Sequence, residues 1–115
     1  MKQTLFVGLT IITVTIFSFC SSSKKAAATL APTTYETHVA QLVTTHCSPC
    51  HIPAKGGNKL ALDNYSTLKE NIDSVIARIE KNPGEKGFMP FKKAKLSAST
   101  IAVFKQWKAD GLTTR

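Results

Sequence analysis

Acidic residues are scarce in this chain of 115 residues, where 7 Asp and Glu face 15 Lys and Arg for a formal net charge of +8. The surface is therefore basic, suited to acidic proteins, anionic lipid or nucleic acid. Methionine is scarcer still, present only as Met1 and Met89. Strand-like alternation and internal repeats are lacking, which argues against β, βαβ and solenoid architectures and leaves helices as the expected elements. No apolar run is long enough for a comfortable membrane span: the longest, residues 5–19, follows a single Lys2 and reads as an export signal. Export disfavours nucleic acid as a partner and makes an acidic protein the economical choice. Large apolar residues are also few for a domain of this size, so a self-sufficient core is hard to build.

Against these shortages stands one dense feature. Cys47-Ser48-Pro49-Cys50-His51 is a C-x-x-C-H run, the attachment signature of covalent haem c. Two thiols at that spacing can each form a thioether with one haem vinyl, and the adjoining imidazole then lies beneath the ring as a proximal iron ligand. A redox dithiol would expect a βαβ context, and it would leave His51 unused. Zinc would need further ligands, yet no second C-x-x-C exists and His46 is crowded against the first pair. One haem c with its iron is the expected cofactor, and it would serve as the staple that so small a scaffold needs.

The third thiol, Cys20, ends the apolar run and precedes Ser21-Ser22-Ser23. It resembles the cleavage and lipidation site of a bacterial lipoprotein, with Phe19 standing where a small residue is usual. Cleavage after Ala26-Ala27-Ala28 would instead discard Cys20, and an uncleaved amino-terminal anchor is a third arrangement. Lipidation is favoured because an odd thiol in an exported protein otherwise lacks a role. All three place the domain outside the cytoplasm, in a bacterial periplasm or on a membrane. The expected organisation is a signal over residues 1–19, a flexible tether over 20–33 rich in Ser, Lys, Ala and Pro, and a domain over 34–115.

Within that domain Tyr35, Val39, Leu42 and Val43 recur at helical spacing and predict a first helix ending at His46, which delivers the haem-binding run. Pro49 and Pro53 exclude its continuation. After a loop over 52–59 carrying Gly56-Gly57, the residues Leu60, Leu62, Tyr65 and Leu68 predict a short second helix capped near Asp63. A third is expected over 73–81, ending at Asn82-Pro83-Gly84. Ser97 is the expected N-cap of a last helix over 98–110, with Ile101, Phe104 and Trp107 inward and Gly111 as its stop. The expected fold is all-α, with three to four short helices around the haem.

The haem-binding run, Gly87-Phe88-Met89-Pro90, and the closing Leu96-Ser97, Trp107 and Gly111-Leu112 together resemble a small monohaem class I cytochrome c. More narrowly, Gly57, the run Leu60-Ala61-Leu62-Asp63-Asn64-Tyr65, then Arg78-Ile79 and Met89-Pro90 are similar to cytochrome c domains of planctomycete-type proteins. The resemblance spans about residues 34–112. It lacks the Gly-Pro segment whose carbonyl commonly holds the proximal imidazole, so His51 has no partner assigned by pattern.

This resemblance implies Met89 as the sixth ligand, and the sequence agrees by exclusion, since Met1 is the only other methionine. A neutral, soft thioether favours Fe(II) and raises the potential, while Pro90 stiffens the loop. His38 is the weaker bis-histidine alternative, and His46 reads as a surface or packing residue. Trp107 and Phe104 are expected to pack against the first helix and the haem. Lys86, Lys92, Lys93 and Lys95 flank Met89 and would steer an acidic redox partner into a brief encounter. The functional expectation is a monomeric extracytoplasmic electron carrier without substrate chemistry: Cys47 and Cys50 are thioether anchors, and His51 and Met89 are axial ligands. The alternative is a gas sensor or peroxidase-like protein with an open sixth site, for which no distal acid–base pair is identifiable.

Overall fold

Residues 31–115 are described by the computed structural model, and every regular element among them is helical. The all-α expectation therefore holds for these residues. The expected signal, Cys20 and most of the expected tether lie outside them.

Thr34 is extended, and the chain then enters a π-helical turn, Tyr35–Val39, closed by the Ala40 N–H donating to the Tyr35 carbonyl. Helix α1, Ala40–His46, continues from it without a break. Tyr35, Val39 and Val43, four residues apart, form one buried stripe. A 3₁₀ turn, Pro53–Lys55, follows the C-x-x-C-H loop.

The predicted second and third helices are a single helix, α2, Tyr65–Ile79. No Gly or Pro interrupts the segment between them, and Leu68, Ile72, Val75 and Ile79 continue one buried stripe through the expected gap. The cap is Asn64 rather than Asp63: its side-chain oxygen accepts from the Thr67 N–H at 2.9 Å. Leu60 and Leu62 stay outside the helix, with Leu62 buried and Leu60 half exposed at 50 %. Helix α3, Ala98–Ala109, follows its sequence closely. The Ser97 hydroxyl accepts from the Thr100 N–H at 3.1 Å, and Gly111 provides the left-handed φ of +88° that ends it.

An aromatic trio holds the π-helical turn, α2 and α3 together. The Trp107 ring lies 5.9 Å from Tyr35 and 6.2 Å from Tyr65, and the two tyrosine rings are 5.6 Å apart. Each polar end finds a carbonyl: Trp107 Nε1 donates to Thr113, the Tyr65 hydroxyl to Leu112 and the Tyr35 hydroxyl to Asp63. The carboxy-terminal segment also closes over the start of the first helix. Tyr35 and Glu36 donate their N–H groups to Thr113 and Thr114, and the Asp110 carboxylate accepts from the Thr33 N–H at 2.7 Å. These contacts engage backbone donors that a helix start leaves without intrahelical partners. They also fix the end of the domain at which residues 31–34 enter.

Candidate functional site

Two loops and one face of α2 enclose a cavity of about 610 Å³, within the range of about 300–1,000 Å³ typical of small-molecule and cofactor sites. Cys47, Cys50, His51 and Met89, which sequence reasoning nominates together, all line it. Much of the remaining wall is apolar, including Leu62, Val75, Ile79 and Leu96.

The C-x-x-C-H loop is built directly on α1. The Cys47 N–H still donates to the Val43 carbonyl in helical fashion, and the His51 N–H donates to the Cys47 carbonyl at 3.0 Å. The chain after the 3₁₀ turn runs back alongside this loop, with the Lys59 N–H on the Cys50 carbonyl and the Leu62 N–H on the His51 carbonyl, each at 3.0 Å. Between those two bonds the Leu60 carbonyl faces the His51 ring, 2.7 Å from Nδ1. Nδ1 is therefore the protonated donor, and the lone pair is left on Nε2. Leu60 is thus the partner of His51 that pattern alone leaves unassigned, and nothing in its side-chain type announces a role carried by its carbonyl.

Gly57 makes this return possible. A Cβ there would sit 2.6 Å from the Cys50 carbonyl oxygen and closer still to that of Pro49. Gly57→Ala is expected to lower stability by about 1–3 kcal/mol, because backbone on both sides must move, and to loosen the His51 to Leu60 bond. Thermal denaturation of the variant, with the His51 ring followed by NMR, checks both effects.

Met89 arrives from the opposite side on the loop after α2. Its N–H donates to the Arg78 carbonyl at 3.1 Å, which ties the loop to α2 near that helix's end. Gly87, at φ +86°, takes the preceding turn. The Lys93 ammonium donates to the Ser48 carbonyl at 2.8 Å, joining the Met89 loop to the C-x-x-C-H loop. Lys95 donates to the Glu80 carbonyl and to Asn82. Two of the four lysines expected to form a steering ring therefore also hold loops in place. Lys93 borders the cavity with Met89, while Lys92 lies over the exposed Phe91 ring at 5.3 Å.

Other nominated residues divide clearly. His38 is exposed and outside the cavity, and its Nδ1 accepts from the Thr34 N–H at 3.1 Å, so the ring serves the start of the first helix. His46, expected at the surface or in packing, is half-buried and borders the cavity. Trp107 and Phe104 pack in the core, Trp107 against Tyr35 at the start of the first helix as expected, and neither borders the cavity. Arg78, read from sequence only as part of a pattern, contributes both a lining side chain and the carbonyl that holds Met89.

Both described cysteines are free thiols, Cys47 half-buried and Cys50 exposed. Burial pushes the Cys47 thiol up to about 11, with Lys93 only partly offsetting it. A redox-active dithiol needs the reverse, a thiol poised to ionise near neutrality. Among the described residues no three His, Cys, Asp or Glu side chains converge to hold a bare ion. As a donor set, the thiols suit covalent attachment of an organic group carrying the metal, while an imidazole nitrogen and a thioether suit a borderline or soft transition metal. The chain matches no family model, no curated protein and no solved structure.

Proposed function

We propose that this chain is a small class I-type cytochrome c that carries one electron outside the cytoplasm. The observation that carries the reading is the meeting of Cys47, Cys50, His51 and Met89 around one largely apolar cavity of about 610 Å³. A haem c bound there would supply one-electron chemistry by alternating between Fe(III) and Fe(II). Cys47 and Cys50 anchor it as thioethers. His51 would hold the iron through Nε2, because the Leu60 carbonyl holds Nδ1–H and fixes the ring's tautomer and orientation. Met89 would hold it through its thioether, from a loop tied to α2 through Arg78. Leu62, Val75, Ile79 and Leu96 would shield one side of the group from water, which would favour its less charged reduced state.

In this reading the cavity needs no acid–base residue, since electron transfer breaks no substrate bond. The basic surface around Lys86, Lys92, Lys93 and Lys95 selects an acidic redox protein, and Cys20, when lipidated, keeps the monomer at a membrane. Raising the ionic strength is expected to slow electron exchange with an acidic partner several-fold; a flat rate profile would remove the steering role. The function itself is tested by potentiometric titration of the visible spectrum. One reversible one-electron transition per chain, with a ferrous form that resists carbon monoxide, is expected. Rapid and complete carbon monoxide binding would instead support the sensor or peroxidase-like alternative.

A further inference from the structure

The loop that carries Met89 is bonded to the C-x-x-C-H loop at a single point. Among the described residues, the Lys93 ammonium on the Ser48 carbonyl, at 2.8 Å, is the only hydrogen bond between residues 82–96 and residues 47–62, and no ion pair joins them. Ser48 borders the main cavity from one loop, and Pro90, Phe91 and Lys93 border it from the other. The bond therefore ties together two separate walls of that cavity.

The other ties of the Met89 loop run to α2 and the residues just after it. The Met89 N–H donates to the Arg78 carbonyl, and the Lys95 ammonium donates to the Glu80 carbonyl and the Asn82 side chain. Residues 91–95, between these two ties, are all exposed. They nevertheless form a defined turn, in which the Lys93 N–H donates to the Pro90 carbonyl at 3.2 Å and Lys92 takes a left-handed φ of +56°. That conformation is uncommon for a residue with a side chain, and it persists only where the surroundings hold it. Here the turn itself and the Lys93 bond, one residue on, hold it.

We propose that residues 89–95 form a flap at the edge of the main cavity, hinged at Gly87 and latched to the attachment loop by Lys93 on the Ser48 carbonyl. A charge-assisted bond that competes with water is weak enough to open, and strong enough to shift the balance about five-fold toward the closed arrangement. An open flap admits a flat group between the two loops, and the latch then returns the Met89 side chain to the cavity wall. The latch stands on the cross-loop bond alone. Its consequence for the iron rests on the function proposed above: there Lys93 is a positioning residue, which acts through Met89 and sets how readily the thioether leaves the sixth position.

The test is amide hydrogen exchange, read by NMR, in the purified mature protein and its Lys93→Ala variant. Lys59→Ala is the control, because Lys59 also borders the cavity but makes no bond between the loops. Exchange at the Met89 amide is expected to rise about five-fold in Lys93→Ala and to stay unchanged in Lys59→Ala, while the Phe104 and Trp107 amides keep their protection in both. Imidazole titrated into the oxidised protein should bind Lys93→Ala about five-fold more tightly than the other two. Unchanged Met89 exchange in Lys93→Ala, an equal rise in Lys59→Ala, or a rise shared by Phe104 and Trp107 would overturn the latch. A Met89 amide that opens in Lys93→Ala while imidazole binds all three proteins equally would uphold the latch and remove Met89 from the sixth position.

Discussion

Met89→Ala is expected to open the ferrous protein to carbon monoxide and to lower its reduction potential by roughly 0.1–0.3 V, inside the span of about 0.8 V that axial ligation covers. The direction follows from the ligand. A neutral, soft sulfur stabilises Fe(II) more than the water or imidazole that would replace it, so its loss favours the oxidised state. The loop should survive the change, because the contacts that fix it do not involve the methionine side chain. Those contacts are the Met89 N–H on the Arg78 carbonyl, the Gly87 turn and the Lys93 bridge to Ser48. Rapid-mixing measurements of carbon monoxide binding, together with a potentiometric titration, check the outcome. A variant whose potential and carbon monoxide kinetics match those of the unsubstituted protein would remove Met89 from the iron.

Preventing covalent attachment by Cys47→Ala together with Cys50→Ala is expected to abolish cooperative folding. Leu62, Val75, Ile79 and Leu96 belong to the apolar core and also line the cavity, so an unfilled site leaves one side of each without a packing partner. At about 24 cal/mol per Å³, a cavity of this size costs at most about 15 kcal/mol, an upper bound because water enters its mouth. Total stability for small domains is about 5–15 kcal/mol, so even a third of that figure is decisive. The Tyr35, Tyr65 and Trp107 cluster lies away from the cavity and should leave some residual helix. Calorimetry reads the result: a broad transition or none is expected. A sharp, two-state transition close to that of the unsubstituted protein would show that the helices need no filler.

These expectations depend on features that the sequence reveals unevenly. The buried stripe of α2 is plain in Leu68, Ile72, Val75 and Ile79, yet the helix reads as two pieces because Asp73 and the polar run before it resemble a fresh start. Only the hydrogen-bonded frame shows that no turn intervenes. The last helix is legible at both ends, since Ser97 and Gly111 act through local geometry that residue type dictates. At the site, Cys47, Cys50, His51 and Met89 are visible because their side chains carry the chemistry. The carbonyls of Leu60 and Arg78 that hold His51 and the Met89 loop are not, because the position of a backbone group depends on chain reversal rather than on residue type. Gly57 lies between these cases: its residue type hints at a close approach, but which backbone it meets emerges only from the fold. His46 shows the same limit, since its adjacency to Cys47 gives no measure of which way the ring faces.

Intact-protein mass spectrometry of the mature chain, produced in a bacterial host with haem c maturation, shows whether Cys47 and Cys50 carry a covalent haem. A mass increase equal to one haem that survives acid and organic extraction is expected, with its loss in the Cys47→Ala, Cys50→Ala protein. A mature chain of unmodified mass with both thiols open to alkylation, from a host that matures other c-type cytochromes, would contradict it.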